Sequence, residues 1–421
     1  MNDFKVPLFM SHKERLYAFI ALFLIFMLNL SFEYYKYKKI ASSKYFTTVA
    51  EVLNQYKKKN YYVLKLKSED GFTFYTTSKE DLKDLRGRRV EVLLIKTRFK
   101  KNFFDFLKGF YTVSYIKGVL PDTSIKNRVS KVISLQHENS LSKELYNALF
   151  LAEPISKELR EKLSFLGLSH LVAISGFHLG LIAAVIFFIF YLFYKPLHQR
   201  FFPYRNRVFD AMVVVSLVTL SYLIFLGEVP SLIRAYVMMV FGFFLFFRNI
   251  EILSFETLLW AVLVILALFP NLFFSVGFWL SVSGVFYIYL FLHYFKGLNK
   301  WLIFILLNFW VFFAMIPVVH YFFSNFSYMQ FFSPFISMIF TFFYPLFVVL
   351  HIVGFGGALD QYLLKFFSMD FAKFHFETPF WFLLFYILIS ILSIYKKRIF
   401  YLFIFVNISF FIYQIAKLQT V

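Results

Sequence analysis

The stretch GLSHLVAISGFHLGLIAAVIFFIFYLFY, Gly167 to Tyr194, decides how the rest of the chain is read. From Leu171 to Tyr194 it holds no Asp, Glu, Lys or Arg, and a helix of that length crosses a hydrocarbon layer of roughly 30 Å. The expectation is a membrane span with His170, Ser175 and His178 at its mouth. At about 100° per residue these three fall within an arc of roughly 140° on one helix face, with His178 between the others. Gly176 and Gly180 stand four apart on a different face, a seam along which a neighbouring helix can approach closely. A polar face beside a small-residue seam predicts a helix bundle that encloses something polar.

The composition agrees. Of 421 residues, 60% are hydrophobic and the mean hydropathy is +0.67, which excludes a soluble protein of ordinary make-up. The 66 Phe and 28 Tyr are spread through every span, so no single one is informative. With no Cys there is no disulfide, thiolate metal site or cysteine nucleophile. The net charge of +20 is concentrated outside the spans: Lys44 to Lys117 alone carries 17 Lys and Arg against 8 Asp and Glu. Such a segment suits an anionic partner, a phosphate backbone or a layer of lipid headgroups.

Lys5, Lys13 and Arg15 precede an apolar run from Leu16 to Phe32. No small-residue cleavage site follows, so residues 1–40 read as an uncleaved anchor with its N-terminus in the cytoplasm. Residues 41–120 then change period. YFTTVAEVLNQY, NYYVLKLK, GFTFYTT, RRVEVLLIK and FYTVSYI are β-branched or aromatic runs. Five short strands, with a brief helix between the third and fourth, predict a small all-β, OB-like domain on the outer side. Basic grooves with stacking aromatics bind single strands in such folds. Tyr61, Lys65, Lys67, Phe74, Arg88 and Arg89 are the candidates here, although aromatics in alternating strands serve equally well as core.

Residues 121–168 return to helical spacing and read as an amphipathic connector at the membrane surface, divided by Pro154. Beyond the opening stretch, KPLHQRFFPYRNR (Lys195 to Arg207) holds four basic residues and no acid, which places it in the cytoplasm. Further spans are expected at Val208–Leu226, Ser231–Phe247, Glu256–Phe269, Leu272–Phe295, Trp301–Phe323, Phe331–Ile352, Pro379–Tyr395 and Ile399–Ile415. Counting crossings puts Lys396, Lys397 and Arg398 outside, against the rule, unless Phe331–Ile352 enters and leaves on one side. Pro334 and Pro345 mark it as a re-entrant or broken segment. The fold class is thus a polytopic α-helical membrane protein of about 9–10 membrane segments with an outer β domain. Residues 169–352 form its core, 353–378 an outer loop and 379–421 C-terminal helices.

Few polar residues lie inside the spans. Arg234 stands about one turn into its helix, where it must snorkel, pair or face water, and Glu228 is its nearest partner in sequence. Gly277, Ser281 and Pro317 are further candidates for a packed or lined path. The nine His residues form no His-x-His or His-Glu-x-x-His pattern, and no Gly-Lys-Ser/Thr phosphate loop occurs. Neither a cofactor, a metal nor a nucleotide site of its own is expected.

Three segments carry a family likeness: GLSHLVAISGFHLGL (Gly167 to Leu181), GEVPSLIRAYVMMVFGFF (Gly227 to Phe244) and FPNLFFSVGFWLS (Phe269 to Ser281). In order and spacing they resemble the ComEC family, the inner-membrane DNA channel of natural competence. The resemblance implies that the β domain is the family's outer OB-like domain and that the bundle conducts one DNA strand into the cytoplasm. His170, Ser175, Gly176 and His178 match its first motif, Arg234 its second, and Gly277, Phe278, Leu280 and Ser281 its third. Trp279 departs from it, standing where the family usually has Gln. The chain also ends without the metallo-β-lactamase-like domain of many members, so a conduit without its own nuclease is expected.

The leading expectation is therefore a non-enzymatic channel for single-stranded DNA in the bacterial cytoplasmic (inner) membrane, driven by a partner. Beyond DNA and the lipid bilayer, its implied partners are a periplasmic or surface DNA receptor, a cytoplasmic translocase or single-strand-binding proteins and a separate nuclease, with a homo-oligomer compatible. One alternative is a permease for another anion. Another is an intramembrane serine hydrolase, since Ser175-Gly176 near His178 is similar to a Gly-x-Ser-Gly nucleophile site.

Overall fold

The computed structural model describes residues 6–43, 45–58, 60–80, 84–95, 102–121, 124–227, 229–369 and 372–419. Its first helix, α1 (His12–Ser42), starts where Ser11 Oγ accepts from the Glu14 amide at 3.2 Å. At 31 residues it is about 46 Å long, more than a bilayer core needs. Its far end meets the β domain, where Tyr37 packs on Phe103 and Phe106.

That domain holds β1 (Tyr45–Lys58), β2 (Tyr61–Ser68), β3 (Thr73–Ser78), β4 (Arg89–Ile95), a short helix α2 (Phe103–Lys108), β5 (Phe110–Tyr111) and β6 (Ser114–Val119). The sheet order is β5-β3-β2-β1-β4-β6. β3 and β5 run parallel and every other pair antiparallel. Only Thr112 and Val113 separate β5 from β6. One segment therefore pairs with β3 at its start and with β4 beyond, joining the two edges of the sheet and leaving little exposed edge. Leu64, Leu66, Phe72, Phe74, Val90, Val92, Phe106 and Phe110 fill the interior. The brief helix expected between the third and fourth strands falls partly on residues 81–83, outside the described residues; α2 lies between β4 and β5 instead. Arg86 ties the domain down, donating to Pro154 O at 3.2 Å while gripping Asp84.

The connector comprises α3 (Ile125–Leu135), α4 (Ser140–Leu151), α5 (Lys157–Phe165) and α6 (Ser169–Val172). The helical body follows: α7 (Gly176–Phe201), α8 (Arg207–Phe225), α9 (Pro230–Phe247), α10 (Phe255–Leu268), α11 (Val276–Phe295), α12 (Lys300–Phe322), β7 (Asn325–Phe326), α13 (Ser333–Ile352), α14 (Asp360–Phe367), β8 (Phe374–His375), α15 (Phe380–Leu392) and α16 (Lys397–Gln419). Among the described residues, seven helices are long and apolar enough to cross a membrane, and three shorter apolar ones accompany them. These ten fall where the spans were expected. α11 starts later than expected, after a 3-10 turn at Pro270–Phe274.

Two contacts fix directions. Arg15 pairs with Glu256 at 2.9 Å near the starts of α1 and α10, and Asn29 reaches Ala267 O at 2.8 Å near the end of α10. The two helices are parallel, as the crossing count requires. β7 pairs with β8, Asn325 opposite His375, and the Thr378 amide donates to His320 O at 3.2 Å. The end of α12 and the start of α15 are therefore neighbours, and the chain between them departs from and returns to the same place. The expected break does not occur: α13 is one continuous helix, because Pro334 occupies its first turn, where no intrahelical N–H is needed, and Pro345 is accommodated within it.

Candidate functional site

The opening stretch is not one helix. α6 ends at Val172, Ala173 to Ser175 run extended, and α7 begins at Gly176. His170, Ser175 and His178 therefore do not share a helix face, and the expected arc is corrected. Ser175 is the N-cap of α7. His178 Nδ1 accepts from the Ser175 amide at 3.3 Å and lies 3.2 Å from its hydroxyl, so the pair closes the first turn of the helix much as a capping box does. No apolar periodicity betrays such a break, since every residue in it is uncharged.

Both imidazoles turn towards α13. His170 Nε2 lies 3.1 Å from Ser337 Oγ, and fully buried His178 meets Tyr344 edge-on at 4.7 Å between ring centroids. Ser333 Oγ donates to Gly167 O at 2.9 Å. Gly167 has φ +69°, and a Cβ there would sit 3.2 Å from Gln330, so glycine is needed on both counts. The first motif is thus laid along α13, whose Ser337 and Tyr344 carried no sequence signal of their own.

The other face of α7 meets α9. Ser231 Oγ donates to Ile174 O at 2.6 Å, and a Cβ on Gly176 would meet Ala235 Cβ at 3.4 Å. Gly180 has open space around it, so the seam expected at Gly176 and Gly180 is real only at the first. One turn below Ser231 stands Arg234, 8% exposed. Its guanidinium lies 5.8 Å from the centre of the buried Phe278 ring, and a Cβ on Gly277 would be 3.8 Å from Nη1. Among the described residues it has no hydrogen bond or ion pair, and its Nε is buried without a partner. Glu228, its nearest potential partner in sequence, lies outside the described residues. The three segments singled out in the sequence therefore meet along α9, the first packing on Ser231 and Ala235 and the third on the Arg234 guanidinium. Burying that guanidinium uncompensated is costly, and its planar fork of donors matches the oxygens of a phosphate or carboxylate.

Other candidates are placed elsewhere. Ser281 is exposed in the second turn of α11, one turn after Gly277, and the Trp279 indole donates to Phe273 O at 2.8 Å. Pro317 is buried where α12 packs on α15 and α16. Proline there leaves the Phe313 carbonyl without its helical donor, and Asn407 Nδ2 supplies one at 2.9 Å. Asn407 also donates to Tyr386 OH at 2.7 Å, and that hydroxyl donates to Ala314 O at 2.9 Å. The surroundings of Pro317 are those of a packed kink.

In the β domain, Phe74 is fully buried, which corrects its assignment to a binding face. Strand alternation turns its neighbour Tyr75 outward instead. Tyr75 is paired in register with Lys65, whose ammonium lies 5.7 Å from the Tyr75 ring centre. Lys67 follows on the same face, and Tyr61 starts the strand half-buried. Arg88 and Arg89 lie apart at the start of β4, where Arg88 reaches Leu120 O and Arg89 pairs with Glu69.

No group of three or more His, Cys, Asp or Glu with metal-binding geometry occurs among the described residues. A family model described as Competence protein matches residues 152–420, which takes in all three converging segments. No curated protein and no solved structure matches the chain.

Proposed function

The chain belongs to the Competence protein family and is a multi-pass membrane protein, and from that premise we propose that its helical body conducts single-stranded DNA across the bacterial cytoplasmic membrane. The observation that carries this reading is Arg234, a cation of α9 buried against Phe278 of α11 with no anion paired to it among the described residues. A strand crossing a bilayer needs sparse positive charge to offset lost phosphate hydration, yet weak enough binding to keep moving. One such guanidinium flanked by an aromatic ring suits both demands.

The β domain is read as an OB-like barrel that hands the strand to this body. The parallel β3–β5 pair and the joined edges support that topology. Tyr75 with Lys65 and Lys67 offers stacking beside positive charge on the β2–β3 face, without base selectivity. The body is read as a conduit and not as a hydrolase: His178 Nδ1 is already used as a capping acceptor for the Ser175 amide, which leaves it poorly placed to activate the hydroxyl. Energy and degradation of the second strand fall to partners.

The test is transformation by cells carrying Arg234→Ala, scored separately for DNA held in the envelope and DNA reaching the cytoplasm, with membrane levels of the protein checked. Loss of the second step alone is expected. Normal delivery to the cytoplasm would overturn the reading, and loss of another anion's uptake would favour a permease.

A further inference from the structure

His137, in the turn between α3 and α4, has a fully buried side chain. Its Nδ1 lies 3.0 and 2.9 Å from the two carboxyl oxygens of Asp360 at the start of α14, and its Nε2 lies 3.0 Å from Nε2 of His351 at the end of α13. His351 Nδ1 in turn lies 2.7 Å from Phe347 O. A carbonyl oxygen only accepts, so His351 Nδ1 carries a hydrogen. An ionised carboxylate only accepts as well, so His137 Nδ1 carries another. With those two hydrogens in place, neutral rings would aim their Nε2 lone pairs at each other across an ordinary hydrogen-bond distance. One further proton must lie on that line. Its charge is offset by Asp360. If the carboxyl holds the proton instead, it donates to His137 Nδ1 and His137 Nε2–H donates onward, so the trio binds the same number of protons and stays neutral overall.

We propose that His137, His351 and Asp360 form a one-proton latch that clamps the C-terminal end of α13 to the connector and opens when that proton is lost as the pH rises. His351 lies two turns beyond Tyr344 on the same face of α13, and Tyr344 covers His178. The latch therefore holds α13 down over the first turn of α7. Tyr146 of α4 stacks on His137 at 4.5 Å and 6°. Its burial, and secondarily the Asp360 carboxylate, push the phenol well above its ordinary range, so it does not compete for the proton. Among the described residues, Tyr146 and Asp360 are the titratable side chains in contact with the two rings. A second clamp is independent of pH: Gln136 donates to His351 O at 3.0 Å and accepts from the Gly356 amide at 2.8 Å. A Cβ on Gly356 would sit 2.6 Å from Gln136 Oε1 and 2.7 Å from the His351 ring, so the junction closes only on glycine. The latch stands on this geometry alone; only its consequence for conduction rests on the conduit reading.

Hydrogen exchange on the full-length protein in lipid nanodiscs, corrected for intrinsic rates, tests it without any transport assay. Protection of the amides from residue 347 to 360 is expected to fall about 10-fold or more between pH 5.5 and 8.5, the value of a charge-assisted hydrogen bond. His351→Gln and His137→Gln should give low protection with little pH dependence. Asp360→Asn, which keeps an acceptor but loses the charge, should move the transition to lower pH. The wild-type profile stands even if a variant fails to fold. A flat wild-type profile, an unchanged transition in His351→Gln, or protection at pH 5.5 that a chelator abolishes, marking a metal ion in place of the proton, would each overturn the latch.

Discussion

Replacing Arg234 by methionine should make the protein more stable and stop DNA from reaching the cytoplasm. The guanidinium is 8% exposed, with Nε unpartnered and no ion pair among the described residues. Leaving a buried polar group unsatisfied costs about 1–3 kcal/mol, and more when it is charged. The contact with Phe278, at 5.8 Å near the limit for a cation over a ring, returns about 0.5–1 kcal/mol. Methionine keeps the apolar stem and the packing while removing the charge. A gain of about 1–2 kcal/mol follows, within the range seen when buried charges give way to apolar residues. For a chain of this length that is a rise of about 1–2 °C in the unfolding midpoint. Thermal unfolding of the detergent-solubilised variant beside wild type reads this directly, with transformation scored in parallel. Stability gained at the expense of function is the signature of a site held ready for a ligand. If the Arg234→Met protein unfolded at a lower temperature than wild type, the guanidinium would be a structural partner of some group, and the reasoning from its isolation would fail.

Other outcomes follow from single contacts. Asn407→Leu should destabilise by about 1–3 kcal/mol by orphaning the Phe313 carbonyl, and adding Pro317→Ala should recover part of that loss, because an alanine amide can bond Phe313 again; unfolding of the two variants and their combination measures it. Gly167→Ala should lower stability by about 1–2 kcal/mol through its left-handed backbone and its crowding against Gln330, and a neutral result in the same unfolding assay would contradict that geometry. Tyr75→Ala should weaken binding of single-stranded DNA by about 1–3 kcal/mol with the sheet intact, whereas Phe74→Ala should disrupt the domain itself, a contrast that binding and circular dichroism together resolve. Burial pushes the Asp84 carboxyl up, but its hydrogen bonds from Arg86 pull it below the ordinary range. The Arg86 grip on Pro154 should therefore hold at full strength above the usual carboxylate range and weaken as the pH falls through that lowered value. As a partly exposed pair it should contribute about 0.5 kcal/mol, and protease nicking between β domain and connector should rise at acid pH and in Arg86→Ala.

Composition and pattern were enough to specify the apolar helices, their order and the early β domain. Each is written in a period, a charge asymmetry or a run of composition, and burial against lipid or core enforces such patterns residue by residue. Arg234 stood out in the same way, because a charge within an apolar run needs a reason. What the sequence left open turned on single steps of geometry. Phe74 and Tyr75 are equivalent to any composition rule, and only the pairing register sends one inward and the other outward. The break at Ala173 to Ser175 is invisible because uncharged residues suit a helix as well as an extended turn; what imposes it is the capping of α7 by Ser175 and His178 and the packing of the preceding turn on α13. The meeting of His137, His351 and Asp360 joins residues more than two hundred positions apart, which no local pattern can announce. For the stretch from Gly167 to Tyr194, the residues themselves required a membrane helix with polar groups at its mouth, and the fold alone decided that those groups face α13 while the buried cation stands on the other side.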